Sequence, residues 1–94
     1  MSLSQPYWYL YLLECQDGSI YTGIALDVPA RFKQHQLGKG ARYTRSHRPV
    51  RLLAVAQFAN RSLAQRAEYQ LKKHSAQKKR LVAQALCEGK VVCL

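Results

Sequence analysis

Arg31 and His35 are four residues apart, a spacing that places both side chains on one face of a helix. Two groups of like sign gain nothing for helix stability from that spacing, so another role has to be considered. An arginine guanidinium can hold a phosphate group through two parallel hydrogen bonds, and a histidine can bond a phenol or transfer a proton near neutral pH. A solvated arginine and a structural histidine are the other interpretation. Phosphate chemistry is therefore one of two interpretations that this pair supports.

Two tyrosines, Tyr11 and Tyr21, lie in consecutive β-prone segments that a tight turn would bring side by side. Hydrolysis of a phosphodiester needs a base for the attacking water, a cation for the phosphoryl oxygens and help for the leaving alkoxide. A phenol with a pKa of about 10 is a poor base at neutral pH unless cations lower that pKa, as Arg31 and a bound metal would. Tyrosines are also common in half-buried strands for packing reasons alone. These residues by themselves leave both roles open.

Glu68 is the single carboxylate between Val28 and Cys87. Hard cations such as Mg²⁺ or Mn²⁺ prefer oxygen ligands, and Mg²⁺ keeps several of its waters, so one carboxylate together with substrate phosphate suffices. The other interpretation is an ion pair with Lys72, one helical turn away, worth roughly 0.3 kcal/mol. Glu68 is thus the candidate metal ligand, with the ion pair as its alternative.

The charge of the chain is strongly positive and unevenly distributed. Fifteen Lys and Arg residues against five Asp and Glu give a formal net charge of +10, and no acid occurs between Asp27 and Glu68. This charge predicts attraction to a polyanion, with DNA as the expected partner and RNA as the other nucleic acid that fits, whereas a merely basic surface is the alternative. Cations on one loop and in one helical turn are expected to contact phosphates, with Tyr43 stacking on a base. The candidates are Lys39, Arg42, Tyr43, Arg45, Arg48, Lys78 and Lys79.

Hydrophobic patterns and turn signals divide the chain into elements in the order β-β-α-β-α-α. The patterns predict strands over 7–13, 20–24 and 50–58, and helices over about 28–37, 62–73 and 76–88. The first strand is apolar on both parities, which is typical of a central strand covered on both faces, and Asp17-Gly18 is a strong hairpin signal. This order predicts an α+β fold, in which three helices flank a three-stranded, mainly antiparallel sheet.

Capping residues mark where the helices begin. Asp27 and Ser75 are expected to cap the first and last helices, and Ser62 with Gln65 forms a capping-box pattern for the middle one. Residues 38–49 contain two glycines and a proline without an apolar period, so we interpret them as a surface loop. The expected buried positions of the last two helices are Leu63, Ala67, Leu71, Leu81, Val82, Ala85 and Leu86.

Length and composition exclude several classes of protein. The 94 residues predict one domain over 1–94, with its core over about 7–86. No apolar run approaches the roughly 18–20 residues that cross a bilayer, and residues 1–6 lack the charged start of a signal peptide, so a cytoplasmic protein without a membrane partner is expected. The cysteines are odd in number and form no Cys-x-x-Cys pair, which argues against a disulfide framework and a zinc site. They are Cys15, Cys87 and Cys93.

The order of these features resembles the GIY-YIG nuclease superfamily. The two signature tripeptides correspond to Tyr9-Leu10-Tyr11 and Tyr21-Thr22-Gly23, and they are followed by Arg31, His35 and Glu68. The segments 38–44 and 75–79 are similar to the small stand-alone branch of the superfamily, composed of a single nuclease-like domain. The resemblance covers about residues 7–86.

The resemblance implies a site and a reaction. Tyr21 is implied as general base and Glu68 as the ligand of Mg²⁺ or Mn²⁺, with no small-molecule cofactor. Tyr11 is expected to position the water or phosphate, and Gly23 to allow a close approach of backbone or substrate. The implied function is metal-dependent endonucleolytic cleavage of DNA, with DNA repair as the expected setting.

Three positions depart from the superfamily pattern. Ile24 follows the second tripeptide where a polar or basic group is common, and Gln77 stands in place of an Asn beyond the metal-ligating Glu. Tyr9 also replaces the first Gly, which costs little if Tyr11 alone carries the chemistry. A nucleic-acid-binding module that keeps the fold but hydrolyses little is therefore the alternative function, and a basic protein associated with RNA or ribosomes is a third.

Overall fold

A three-stranded sheet in which the first strand lies between the other two organises the fold. The computed structural model describes residues 7–89. Its elements are β1 (Trp8–Cys15), β2 (Ile20–Ala25), α1 (Val28–Gln36), α2 (Arg42–Ser46), β3 (Pro49–Phe58), α3 (Arg61–Lys72) and α4 (Ala76–Cys87). Both strand pairings are antiparallel, in the order β2-β1-β3. The predicted α+β class and sheet are confirmed.

The central strand β1 is buried on both faces, as its apolar residues on both parities predict. Leu10 and Leu12 are inaccessible to solvent and pack in a cluster that includes Leu71 of α3 and Val82 of α4. On the opposite face, Tyr11 joins a second cluster with residues of β2 and α1. The sheet therefore has a helix layer on each side. Polar side chains that could form a functional site lie on the face covered by α1 or at the edge of the sheet.

Two of the three expected helix caps are confirmed. The carboxylate of Asp27 accepts a hydrogen bond from the backbone N–H of Ala30 at 3.1 Å, and the hydroxyl of Ser75 accepts one from Lys78 at 3.2 Å. The expected Ser62 cap was wrong, because the side chain of Asn60 accepts the bond from Leu63 N at 2.9 Å. Asparagine is at least as good a cap as serine, so α3 begins earlier than the capping-box pattern suggested.

The buried faces of α3 and α4 differ from the expected ones by one residue. Leu63 and Leu81 are 41% and 57% exposed, whereas Ala64 and Ala83 are buried. Alanine lets a helix backbone approach a sheet closely, and the longer leucines then lie at the rim. Ala67, Leu71 and Val82 are buried as predicted, while Ala85 and Leu86 are partly buried.

The segment 38–49 is not a continuous loop, contrary to expectation. Residues Arg42–Ser46 form the short helix α2, and Thr44 within it is 2% exposed. An apolar pattern could not reveal this element, because the buried contact that anchors it is polar.

The carboxylate of Glu14 connects β1 to β3 and α4 through hydrogen bonds. Glu14 accepts hydrogen bonds from Arg51 and Arg80, both at 2.7 Å, and Arg80 also donates to the carbonyl oxygen of Gly18 at 2.8 Å. Gly18 has a φ of +85°, which glycine adopts at little cost, so the hairpin signal is confirmed. These bonds fix the start of α4 against the hairpin and make Arg80 a structural residue.

Two expectations concern thiols and membranes. Cys15 is buried and Cys87 is exposed, and both are free thiols. Cys93 and residues 1–6 lie outside the described residues. Within residues 7–89, no helix is both long and apolar enough to cross a membrane.

Candidate active site

The register between β1 and β2 brings the two tyrosines together. Tyr11 lies opposite Gly23 and Leu13 opposite Tyr21, so the two phenols occupy one face as diagonal neighbours. Their ring centroids are 6.2 Å apart. The close approach expected at Gly23 is made by Tyr11, since a Cβ at Gly23 would lie 2.5 Å from the Tyr11 hydroxyl oxygen. Glycine is required there because Tyr11 is buried and cannot move aside.

His35 holds the Tyr11 phenol from the helix side. Its Nε2 lies 2.8 Å from the Tyr11 hydroxyl, and its Nδ1 lies 2.7 Å from the Thr44 hydroxyl. All three side chains are 1–2% exposed. A buried polar row therefore runs from β1 through α1 to α2.

The hydrogen bonds of Thr44 determine the tautomer of His35. The Thr44 hydroxyl donates its one proton to the Ala41 carbonyl at 2.9 Å, so it must accept from Nδ1–H of His35. Nε2 then carries the lone pair and accepts the Tyr11 proton. The Ala41 N–H, 3.4 Å from Nδ1, would favour the other tautomer, but that contact is at the limit of a hydrogen bond. The shorter bonds assign the proton to Nδ1 and leave the Tyr11 oxygen as an acceptor toward the cleft.

The space for the His35 ring depends on a second glycine. A Cβ at Gly40 would overlap the imidazole, with Cε1 and Cγ both at 2.8 Å. Its backbone φ is not in the left-handed region, so the requirement is one of space alone. Gly40 thus leaves space for the His35 ring, just as Gly23 leaves space for the Tyr11 phenol.

Burial keeps the Tyr11–His35 pair neutral near pH 7. Burial, reinforced by Tyr21, raises the pKa of Tyr11 to about 12, although the Arg31 guanidinium acts in the opposite direction. Burial, followed by the charge of Arg31, lowers the pKa of His35 to about 4. These values oppose the proton transfer near neutral pH that was considered for His35. Its hydrogen bond to a phenol is the role that the geometry supports.

Tyr21 is half-buried and lies 5.1 Å, centroid to centroid, from His35. Burial raises its pKa, and the nearby charge of Glu68 raises it too, while Lys72 and Arg31 lower it. Arg31 therefore lowers the Tyr21 pKa as expected, but burial outweighs it and the net shift is upward. Desolvation of the phenolate outweighs the two cations.

Arg31 lies at the centre of these groups on α1. It is partly buried, and its Nη1 donates to Gln34 at 2.9 Å. Its charge acts on Tyr11, Tyr21 and His35. A guanidinium has five N–H donors, so the hydrogen bonds to Gln34 and to the Tyr11 hydroxyl leave donors for a phosphate.

Glu68 of α3 lies near enough to the site for its charge to act on both tyrosines. The ion pair considered as its alternative role is formed, with Lys72 Nζ 3.2 Å from Oε2. Among residues 7–89, no group of three or more His, Cys, Asp or Glu side chains could hold a metal. A lone carboxylate fits Mg²⁺ or Mn²⁺ only together with substrate oxygens and waters, a donor set that Mg²⁺ accepts.

A row of stacked rings extends from Tyr21 to the surface. Tyr43 is 5.9 Å from Tyr21 with an interplanar angle of 25°, and 3.9 Å from His47 with an angle of 7°. His47 also lies 3.6 Å from Asp17 of the hairpin. One face of Tyr43 is thus already covered, which limits the base stacking expected of it.

The structure separates the other basic candidates into two groups. Lys78 is exposed, like the candidates of the 38–49 segment, Lys39, Arg42, Arg45 and Arg48. Lys79 is partly buried and donates to the Ile20 carbonyl at 3.2 Å. The neighbours Lys78 and Lys79 therefore face different surroundings, and Lys79 is the one brought next to Tyr21.

Sequence reasoning missed Gly40 and Thr44, which position His35. Both lie in a segment without hydrophobic period, and a threonine in a loop carries no signal of burial. The sequence offered one sign for Gly40. No turn requires a glycine at that position, and glycine is otherwise common where another group packs closely against the backbone.

Comparison with known proteins gives a consistent result. A family model described as the GIY-YIG catalytic domain matches residues 7–81. A UPF0213 protein of Cupriavidus pinatubonensis is 57% identical over 72 residues, covering 77% of this chain and 80% of the relative. A UPF0213 protein of Citrobacter koseri is 49% identical over 78 residues, covering 82% and 78%. The solution NMR structure of a UPF0213 protein from Bacillus halodurans is similar with a TM-score of 0.52 and 46% identity, covering 83% of each chain.

Proposed function

The chain belongs to the GIY-YIG family, and from that premise we propose that it is a divalent-metal-dependent endonuclease that hydrolyses phosphodiester bonds in DNA. One observation carries the proposal. Tyr11, Tyr21, Arg31 and His35 converge on one face of the sheet, and Glu68 acts electrostatically on both phenols. The relatives are UPF0213 proteins, and the match covers 80% of the length of one of them.

Binding of the scissile phosphate is assigned to Arg31. Its free N–H donors can hold two non-bridging oxygens and stabilise the charge that develops on them. Exposed cations around the site, Lys39, Arg42, Arg45, Arg48 and Lys78, would neutralise neighbouring phosphates and make affinity fall with salt.

Tyr21 is proposed to accept the proton of the attacking water as its phenolate, whose negative charge Arg31, Lys72 and a metal at Glu68 would stabilise against the cost of burial. Tyr11 donates its own proton to His35, so its oxygen can only accept, and it is suited to orienting that water. Glu68 would hold Mg²⁺ or Mn²⁺, which would supply positive charge at the phosphoryl oxygens.

The expected compartment of the protein is the cytoplasm.

A binding module is the second candidate, and two observations favour it. The pKa of Tyr21 is raised rather than lowered, and Glu68 is already paired with Lys72. Both features would be acceptable in a protein that binds nucleic acid without cleaving it.

Cleavage of labelled DNA and RNA of single-stranded, duplex and branched structure, with and without Mg²⁺ or Mn²⁺, separates the two candidates. Glu68→Gln should abolish metal-dependent cleavage and also the broadening of nearby NMR signals by Mn²⁺. Lys72→Gln breaks the same ion pair but keeps the carboxylate, so it should keep the broadening. Equal behaviour of the two variants would remove Glu68 as a metal ligand, and a parent inactive on every substrate would favour the binding module.

A further inference from the structure

A cavity of about 310 Å³ adjoins the candidate active site and shares Tyr21 with it. Residues of β2, α2, α3 and α4 contribute to it, and the site described above uses only part of this lining. The lining residues are Ile20, Tyr21, Thr22, Tyr43, Lys72 and Lys79. The cavity therefore has two ammonium groups and two phenol rings in its wall.

Lys79 gives the cavity a charge that its own hydrogen bond does not neutralise. Its Nζ donates to the carbonyl of Ile20 at 3.2 Å, a neutral acceptor, and an ammonium has two further N–H groups. Burial, followed by the charge of Lys72, lowers the pKa of Lys79. An anion between the two lysines would relieve both effects. Lys72 is itself held at 3.2 Å from Glu68, so Lys79 is the main anchor.

Thr22 lines the same cavity and has a buried hydroxyl whose hydrogen-bonding capacity is unused. It is 1% exposed, and within residues 7–89 its hydroxyl is the one buried side-chain polar atom without a hydrogen-bond partner. Buried hydroxyls are normally bonded, so this one needs an explanation. The hydroxyl is closed off from the cavity in this conformation, so a bound group or a water would bond it only after the side chain turns toward the cavity.

The rings in the wall favour a phosphate and sugar over a base. Tyr43 is covered by His47 on one face at 3.9 Å and faces Tyr21 at 5.9 Å, which is too close for a base to insert without opening the pair. The same cavity is lined by Ile20, Lys72 and Lys79. Those surroundings suit a charged phosphate with its sugar.

We propose that this cavity is a subsite for one backbone phosphate of the bound strand, next to the phosphate held at Arg31, with Lys79 as its anchor. The assignment rests on the proposed function, since it presumes a nucleic-acid strand running past Tyr21. By fixing the neighbouring phosphate, the subsite sets which phosphodiester reaches the tyrosine.

Binding of a short labelled oligonucleotide, measured in EDTA so that cleavage does not interfere, tests the assignment. Lys78→Gln is the matched control for Lys79→Gln, because both remove one positive charge from adjacent positions and Lys78 is exposed. The Lys79 variant should lose about tenfold more affinity than the control, as loss of a charged hydrogen bond predicts. Melting temperatures of both variants establish that each is folded.

Neutral methylphosphonate links, placed at one position of the strand at a time, locate the phosphate. At one position the neutral link should lower the affinity of the parent for the strand about tenfold and leave the affinity of Lys79→Gln unchanged. Lys78→Gln should lose affinity at that position as the parent does. Equal losses of affinity in Lys78→Gln and Lys79→Gln would overturn the subsite. So would effects of the Lys79 substitution and of the neutral link that simply add at every position of the strand. DNA and RNA strands with and without a terminal phosphate separate an internal diester from a terminal monoester. Dependence on the terminal group alone would contradict the proposal.

The binding experiment, together with the cleavage assay in Mg²⁺ or Mn²⁺, distinguishes failure of the subsite from failure of the nuclease assignment. A protein that shows the position-specific coupling but never cleaves keeps the subsite and loses the nuclease function. A protein that cleaves DNA while its two lysine variants behave alike keeps the nuclease function and loses the subsite.

Discussion

The Tyr11 hydroxyl lies 2.8 Å from Nε2 of His35, and the tautomer behind that bond is determined nine residues further on, at Thr44. Thr44 donates to a carbonyl and so must accept from Nδ1–H. The direction of the Tyr11 proton, toward His35 and away from the cleft, thus depends on a hydroxyl that does not touch Tyr11. Thr44 is therefore a positioning residue for the candidate site.

Replacing Thr44 by Val should expose that dependence. The change keeps the shape but leaves Nδ1–H of His35 buried without an acceptor, so we expect a loss of about 1–3 kcal/mol in the free energy of unfolding. The ¹⁵N shifts of the His35 ring should report Nδ1–H in the parent and a changed tautomer in the variant. Thr44→Ser keeps the hydroxyl and should restore the parent spectrum. An unchanged ring spectrum in Thr44→Val would refute the assigned network.

The stability of the protein should depend on pH through His35. Its pKa of about 4 in the folded chain is below the unfolded value of 6.5, so the unfolded state binds the proton first. The stabilisation that comes from keeping His35 neutral is complete above about pH 6.5 and declines as the pH falls. It levels off below about pH 4, where the free energy of unfolding has dropped by about 3 kcal/mol. Urea unfolding of the parent and of His35→Gln at several pH values checks this. The stability difference between them should shrink from pH 7 to pH 4, and a constant difference would contradict the buried neutral imidazole.

Two glycines of one segment should respond differently to alanine. Gly40→Ala places a methyl group on the His35 ring, and overpacking of this kind costs about 3 kcal/mol. Gly38 has a φ of +77° with open space around its Cα, so Gly38→Ala should cost about 1–2 kcal/mol through the backbone alone. Only the Gly40 variant should shift the NMR signals of His35. Equal destabilisation with an unmoved His35 ring would show that Gly40 is not needed for space.

Removal of the Tyr21 hydroxyl should separate cleavage from binding. Tyr21→Phe keeps the ring and its packing, so DNA affinity should persist while the cleavage rate falls by roughly 10²–10⁴, as expected for a lost general base. Tyr9→Phe makes the same chemical change on β1, at a tyrosine that packs against the cluster of Tyr11 but has no role in the proposed reaction, and it should keep the parent rate. Arg31→Ala should lower both affinity and rate. Cleavage by Tyr21→Phe at the parent rate would rule out Tyr21 as the base.

The sequence by itself determined the three strands, three of the four helices of residues 7–89 and the residues proposed for the candidate site. β1 is central because residues 10–13 are apolar on both parities, and Asp27 and Ser75 cap their helices because their side chains bond backbone groups three residues away. These are local patterns, set by the periodicity of strands and helices and by short-range hydrogen bonds. The same locality explains the errors, since Asn60 and Ser62 are both plausible caps until the chain direction into α3 is known.

Only the tertiary structure decided which polar groups meet. The Thr44 bond to His35, the overlap that requires glycine at position 40 and the difference between Lys78 and Lys79 depend on how α2 and α4 lie against the sheet. No periodicity encodes such contacts, because one hydrogen bond between distant residues leaves the surrounding pattern unchanged. The sign of the Tyr21 pKa shift also followed from packing, because desolvation depends on what surrounds the phenol and outweighs the cations that the sequence places near it.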